Sequence, residues 1–166
     1  PAAGGGFVAG LQGSLQHFDP APGAFTPIIA VEADKPGNRL NDGAVDAGGR
    51  LWFGSMEDAE ENATGVLYCF EKGKLRTADQ GYMVTNGPTF SPDGKTLYHT
   101  DTLKKQMYAF DCAPDGSLSN KRIFAVIEDG NGYPDGPVVD AQGYVWTGLF
   151  GGWAVRRYAP DGKLVQ

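Results

Sequence analysis

The chain is poor in the residues that build redox or zinc scaffolds: two cysteines and two histidines among 166 residues. Cys69 and Cys112 form no CxxC and share no Cys/His ligand spacing, which excludes a disulfide framework and a structural zinc module. They read as small apolar residues on strands. No Lys/Arg run tracks a phosphate backbone, and the net charge is −6, so nucleic acid is excluded as a partner. The acidic balance reads as a solubility device. No apolar run approaches the roughly 18 residues that span a bilayer, so no membrane partner is expected. The segment 1–10 has neither a basic n-region nor an apolar h-region. A cytoplasmic location fits two free thiols, as does a periplasmic one without its signal. No segment carries a sustained helical period.

Glycine is abundant instead, 25 of 166 residues, with 11 prolines and 41% hydrophobic residues. That mixture predicts many short strands and tight turns, not disorder. Three stretches repeat one pattern: NDGAVDAGGRLWFG over 41–54, NGPTFSPDGKTLYHT over 86–100 and DGPVVDAQGYVWTG over 135–148. Each gives a polar residue, a glycine, a short apolar strand, a glycine turn, and a second strand with Trp or Tyr. The turn glycines Gly49, Gly94 and Gly143 are spaced by 45 and 49 residues. Self-similarity at this period marks a repeat architecture of four-stranded blades. Asn41, Asn86 and Asp135 each stand five residues before the residue that opens the turn (Asp46, Ser91, Asp140). Equivalent positions in a radial repeat face one axis, so these three oxygen-bearing side chains are expected to converge.

The predicted fold class is all-β: β-propeller blades of four antiparallel strands with Asp-Gly or Gly-rich hairpins. The second repeat is placed from about Asn41, and the acidic stretch 56–64 is a loop between blade strands. At ~47 residues per repeat, 1–166 holds about three and a half blades, whereas propellers close with roughly 4 to 8. Both ends fall inside a repeat. The expectation is one partial propeller domain truncated at both ends, with the missing blades supplied by the rest of a longer chain.

The string NRLNDGAVDAGGRLWFGSM over 38–56 resembles the regucalcin/gluconolactonase family, also called the senescence-marker-protein family, of six-bladed propeller lactonases. Three further segments match in order: TNGPTFSPDGKTLY over 85–98, SNKRIFA over 119–125 and GYPDGPVVDAQG over 132–143. The resemblance implies one divalent metal on the axis, Ca, Zn, Mn or Mg, held by oxygen ligands from three blades. It assigns two of those ligands to Asn86 and Asp135; the third, a Glu from the first blade, has no counterpart here. It assigns substrate contacts to Arg39 and Asn41, and to an acid after Gly54-Ser55-Met56. Asp58, Glu60 and Glu61 are candidates for that acid, with Glu60 taken first.

The implied activity is divalent-metal-dependent hydrolysis of a sugar lactone to the aldonic acid, with Asp135 as general base or water-positioning group. From spacing alone, turn duty and ligand duty weigh about equally for Asn86 and Asp135, because Asn-Gly and Asp-Gly open turns so often. The competing class is a non-catalytic propeller serving as a binding or scaffold module. The joint presence of Arg39, Asn41, Asn86 and Asp135 discriminates against it. A third reading is an inactive piece of a lactonase. Asp101 is assigned to a structural turn, His17 and His99 to strands without ligand duty, and Trp52, Trp146 and Trp153 to the inter-blade core.

Overall fold

A computed structural model describes residues 1–166 as fourteen strands without a helix. The first sheet holds β1 (Phe7–Leu11), β2 (Ser14–Asp19) and β3 (Ala24–Ala30). The second holds β4 (Asn38–Val45), β5 (Leu51–Glu57), β6 (Gly65–Glu71) and β7 (Lys74–Tyr82). The third holds β8 (Thr85–Phe90), β9 (Thr96–Asp101), β10 (Gln106–Cys112) and β11 (Leu118–Val126). The fourth holds β12 (Tyr133–Val139), β13 (Val145–Phe150) and β14 (Ala154–Tyr158). Each sheet is an antiparallel meander, and Leu164 bridges Tyr158 where a further strand would begin. Sheets of three, four, four and three strands make the expected three and a half blades. The second blade starts at Asn38, three residues before its repeat signature, and 58–64 is a loop. No helix is long and apolar enough to cross a membrane.

Successive blades stack face to face, with β4, β8 and β12 side by side as the innermost strands. Three apolar clusters fill the seams, built around Leu15 and Phe53, around Trp52 and Leu97, and around Met107 and Val145. A middle strand such as β5 is covered on both faces, which is why Leu51–Met56 reads as a near-continuous apolar run. Outer strands β7 and β11 are mostly exposed and polar. Cys69 and Cys112 are free and buried in one seam, where burial pushes both thiols up.

The repeated turn has a chemical reason. Asp46 Oδ1 accepts from Gly48 N and Arg50 N, and its Oδ2 accepts from Trp52 Nε1 (2.8 Å) and Arg50 Nε (2.6 Å). Asp140 does the same for Gln142 N, Tyr144 N and Trp146 Nε1 (2.9 Å). Burial pushes the Asp46 carboxyl up, but the bonds from Trp52 and Arg50 more than offset this and hold it below its ordinary range. Where Ser91 opens the turn, the strand carries Leu97 six residues later, which needs no acceptor.

Trp52 is fully buried and Trp146 half-buried, as inter-blade residues should be. Trp153 is not: it is 99% exposed, on the tight turn between β13 and β14. Of the three tryptophans expected in the inter-blade core, Trp153 packs in no seam within residues 1–166; it lies on the last sheet, whose outward face has no neighbouring blade here.

His17 and His99 lie on β2 and β9 as expected. His99 is fully buried, edge-on to Tyr82 with ring centroids 4.7 Å apart, and neither ring nitrogen has a hydrogen-bond partner. Burial lowers its pKa to about 3. The folded state therefore refuses a proton that the unfolded chain accepts below its ordinary value, about 6.5. This contribution to stability is complete above that value and is lost as the pH falls toward the folded pKa. Lowering the pH from 7 to 5 is expected to remove about 2 kcal/mol through this residue. Urea midpoints at the two pH values check it: the drop should shrink in His99→Leu, and an equal drop in both proteins refutes it.

Candidate active site

Each innermost strand departs from regular pairing near its start, in β8 and β12 at the same distance from the turn and in β4 one residue earlier, so that Asn41 lies within its bulge while Asn86 and Asp135 precede theirs. Register shifts fall between Leu40 and Gly43 in β4, between Asn86 and Thr89 in β8, and between Asp135 and Val138 in β12. A bulge leaves one residue out of the ladder and re-aims a side chain. The glycine after each candidate ligand makes this possible: Gly87 has φ +79° and Gly136 φ +51°, a region that β-carbon-bearing residues rarely adopt. Asn86-Gly87 and Asp135-Gly136 are thus bulge signals at one end of adjacent strands, whereas the bulge of β4 is formed by Asn41 and Asp42 ahead of the paired Gly43.

The side chains there form a line across three blades. Arg39 Nε donates to Asp58 Oδ1 at 2.7 Å, and Arg39 Nη1 donates to Asn41 Oδ1 at 2.7 Å. Asn41 Nδ2 donates to Thr85 O at 2.6 Å and reaches Asn86 Oδ1 at 3.3 Å. Asn86 Nδ2 donates to the buried Thr102 Oγ1 at 2.8 Å, and that hydroxyl donates to Pro134 O, also at 2.8 Å. Pro134 immediately precedes Asp135. From the other side, Gly87 N donates to Asp42 Oδ2 at 2.9 Å, tying the bulges of β4 and β8 together.

Arg39, Asn41 and Asn86 therefore form a chain of contacts that Thr102 extends to the Pro134 carbonyl; the Asp135 side chain itself makes no hydrogen bond to any of them. The Asp135 backbone is fixed by Thr147, whose Oγ1 accepts from Asp135 N (3.1 Å) and donates to Asp135 O (2.9 Å). The residue is half-buried, and its carboxylate takes part in no hydrogen bond or ion pair within residues 1–166. Of the three acids after Met56, Asp58 meets Arg39. Glu60 sits exposed at φ +60° in the loop without such a contact, and Glu61 is exposed with its backbone N–H bound to Glu57. Thr102 and Asp42 belong to the constellation although sequence reasoning did not select them. Asp42 lies inside the NDG string and was readable; Thr102 lies in a Lys-rich turn with no such signal.

The donor set suits a hard divalent cation. The Asn86 amide nitrogen is committed to Thr102, its oxygen accepts from Asn41 Nδ2 at 3.3 Å with a second lone pair remaining, and the Asp135 carboxylate has no hydrogen-bond partner. Cross-strand from Asn86, the buried Thr100 Oγ1 has no partner, a polar orphan of the kind a water or ion satisfies. No third acid joins them: the chain has no group of three His, Cys, Asp or Glu side chains placed to hold a metal.

The family described as "SMP-30/Gluconolactonase/LRE-like region" matches residues 1–166. The chain belongs to this family. SMP-30/gluconolactonase relatives include the L-arabinolactonase of Azospirillum brasilense, 38% identical over 159 residues, covering 93% of this chain and 53% of that protein. The 6-deoxy-6-sulfogluconolactonase of Pseudomonas putida is 30% identical over 98% of this chain and 56% of its own length. A crystal structure of regucalcin from Agrobacterium tumefaciens, described as a calcium-binding protein, superposes with a TM-score of 0.90 at 32% identity over 96% of this chain and 55% of that one. The chain spans about half the length of the curated relatives it matches. The β-propeller assignment and the family resemblance are both borne out.

Proposed function

We propose that this chain carries the catalytic face of a sugar-lactone hydrolase and opens the ring of an aldonolactone to the aldonic acid. The observation that carries the reading is a bulge near the start of each of three adjacent innermost strands. The bulges place Arg39, Asn41, Asn86 and Asp135 at one end of adjacent strands in a chain whose relatives include lactonases of two different sugars. A scaffold has no use for an unpaired carboxylate on the strand next to an arginine–asparagine relay.

Asn86 Oδ1 and the Asp135 carboxylate would hold one divalent ion, Ca, Mg, Mn or Zn. When bound, such an ion supplies electrophilic polarisation of the lactone carbonyl and a more acidic water. Arg39 and Asn41 bind the sugar hydroxyls. Asp58 keeps the Arg39 guanidinium turned toward Asn41, so its remaining N–H groups form a fixed fork. Asp135 takes a proton from water as the oxygen attacks the carbonyl carbon. It returns that proton to the ring oxygen when the acyl C–O bond breaks. Asp58, not Glu60, is the substrate-side acid in this reading, because it alone touches Arg39.

The test uses the complete protein, stripped of metal and supplied in turn with each of the four ions. Acid release from D-glucono- and L-arabinonolactones is followed above the spontaneous rate. Turnover should be absent after chelation and restored by at least one ion. Failure to hydrolyse any aldonolactone with any of the four ions refutes the proposal.

A further inference from the structure

The three repeats differ at one position beside the site. Counting back from the turn, Asn41, Asn86 and Asp135 are equivalent. The residue that follows is Gly87 in the second case and Gly136 in the third, but Asp42 in the first. A carboxylate thus stands where the other two repeats carry glycine.

That carboxylate serves the neighbouring blade. The pairing of β8 with β9 breaks between Asn86 and Thr89, so Gly87 and Pro88 lie outside the ladder. Proline has no N–H, which makes Gly87 N the one backbone donor that this bulge sets free. It donates to Asp42 Oδ2 at 2.9 Å. Asp42 Oδ1 accepts from its own neighbour, Gly43 N, at 2.8 Å, which fixes the orientation of the carboxylate. From the other side the next blade closes in: a β-carbon on Gly87 would lie 2.9 Å from Pro137 Cγ. Residue 87 is therefore clasped between the second sheet and the fourth, and Asn86 is its immediate neighbour.

Asn86 is in this way tethered twice. Thr102 Oγ1 holds its amide nitrogen at 2.8 Å, and Asp42 holds the main chain one residue further on. A group already fixed in its bound conformation loses less entropy when its ligand arrives. We propose that Asp42 is a positioning residue for cation binding: through Gly87 N it fixes the backbone from which the Asn86 ligand oxygen projects. Its part is mechanical, a cross-blade tether, and the ion is held by other side chains. This rests on the metal-assisted lactonase reading and deepens it by naming what keeps one ligand of the ion in place.

The experiment titrates calcium and manganese into the complete, metal-free protein and its Asp42→Ala and Asp42→Asn variants. Asp42→Ala should weaken the affinity about five- to tenfold. The factor should be the same at about 0.1 and 0.5 M NaCl, because salt screens a remote charge and leaves a hydrogen-bonded tether in place. Asp42→Asn keeps an oxygen acceptor without the charge and should lie closer to wild type than to Asp42→Ala. Hydrogen exchange at the Gly87 amide of the metal-free protein should be at least about tenfold faster in Asp42→Ala. Unchanged ion affinity in Asp42→Ala overturns the proposal, even if the melting temperature falls. A loss that fades at the higher salt, or one equally deep in Asp42→Asn, overturns it in favour of simple charge attraction. A loss as deep as that of Asp135→Ala overturns it in favour of direct ligation, and a wild-type protein that binds neither ion leaves no ligand to position and overturns it too. None of these readouts needs turnover: if no lactone is hydrolysed yet Asp42→Ala weakens ion binding as stated, the tether stands and the lactonase reading falls.

Discussion

Asp135→Ala is expected to lower lactone turnover by at least about a hundredfold in the complete protein, with little change in melting temperature. A positioned general base contributes on the order of 10²–10⁴, and this substitution also removes a candidate metal ligand. The fold should not notice. Thr147 holds residue 135 through its backbone N–H and carbonyl alone, and the carboxylate takes part in no protein hydrogen bond. Asp135→Asn separates the two duties: an amide keeps an oxygen ligand but cannot take a proton, so it should retain more metal affinity than Asp135→Ala while remaining as slow. Steady-state kinetics and calorimetric metal titration give both numbers. Near-normal kcat in Asp135→Ala on every aldonolactone tried would remove Asp135 from the mechanism.

Asp101→Ala has the opposite signature, a large loss of stability. Asp101 is fully buried, and its carboxylate accepts from Met83 N (3.0 Å), Val84 N (3.3 Å) and Lys104 Nζ (3.1 Å). Met83 and Val84 form the two-residue link between β7 and β8, so this acid anchors the chain just before Thr85-Asn86. Removing it strands the buried Val84 N–H and leaves the half-buried Met83 N–H and the Lys104 N–H without their acceptor, at about 1–3 kcal/mol for a fully unsatisfied group and less where water can reach. Lys104 is partly exposed and can turn to solvent, so it adds little. The total is expected near 3 kcal/mol, a fall of roughly 6–12 °C in Tm for a chain of this size. Thermal unfolding of Asp101→Ala beside Asp101→Asn checks it. The asparagine keeps one acceptor and should lose less. A shift below 2 °C in the alanine variant would show that the linker does not depend on this acid.

Much of this was legible from residue order. The spacing of Asn41, Asn86 and Asp135 before their turns is a property of the blade, so sequence periodicity carries it directly. Asp101, assigned to a turn, indeed serves backbone donors. What stayed hidden depends on loop shape and on contacts between blades. Which of Asp58, Glu60 and Glu61 meets Arg39 follows from the path of 58–64, where Glu57 binds the backbone of Glu61 and Asn62 and holds Asp58 on the inner side. Spacing cannot give that. Thr102 matters because of what lies across the seam, Asn86 on one side and Pro134 on the other.

The Thr102 hydroxyl has one proton to give. It goes to the Pro134 carbonyl, so toward residue 86 the same oxygen can only receive. An amide satisfies that demand. An ionised aspartate would oppose lone pair to lone pair across a buried gap. The polarity of a single O–H bond thus decides between two side chains of nearly identical shape. It leaves the formal negative charge of this pair on one residue, Asp135, and sets the electrostatic pull that a cation would meet there.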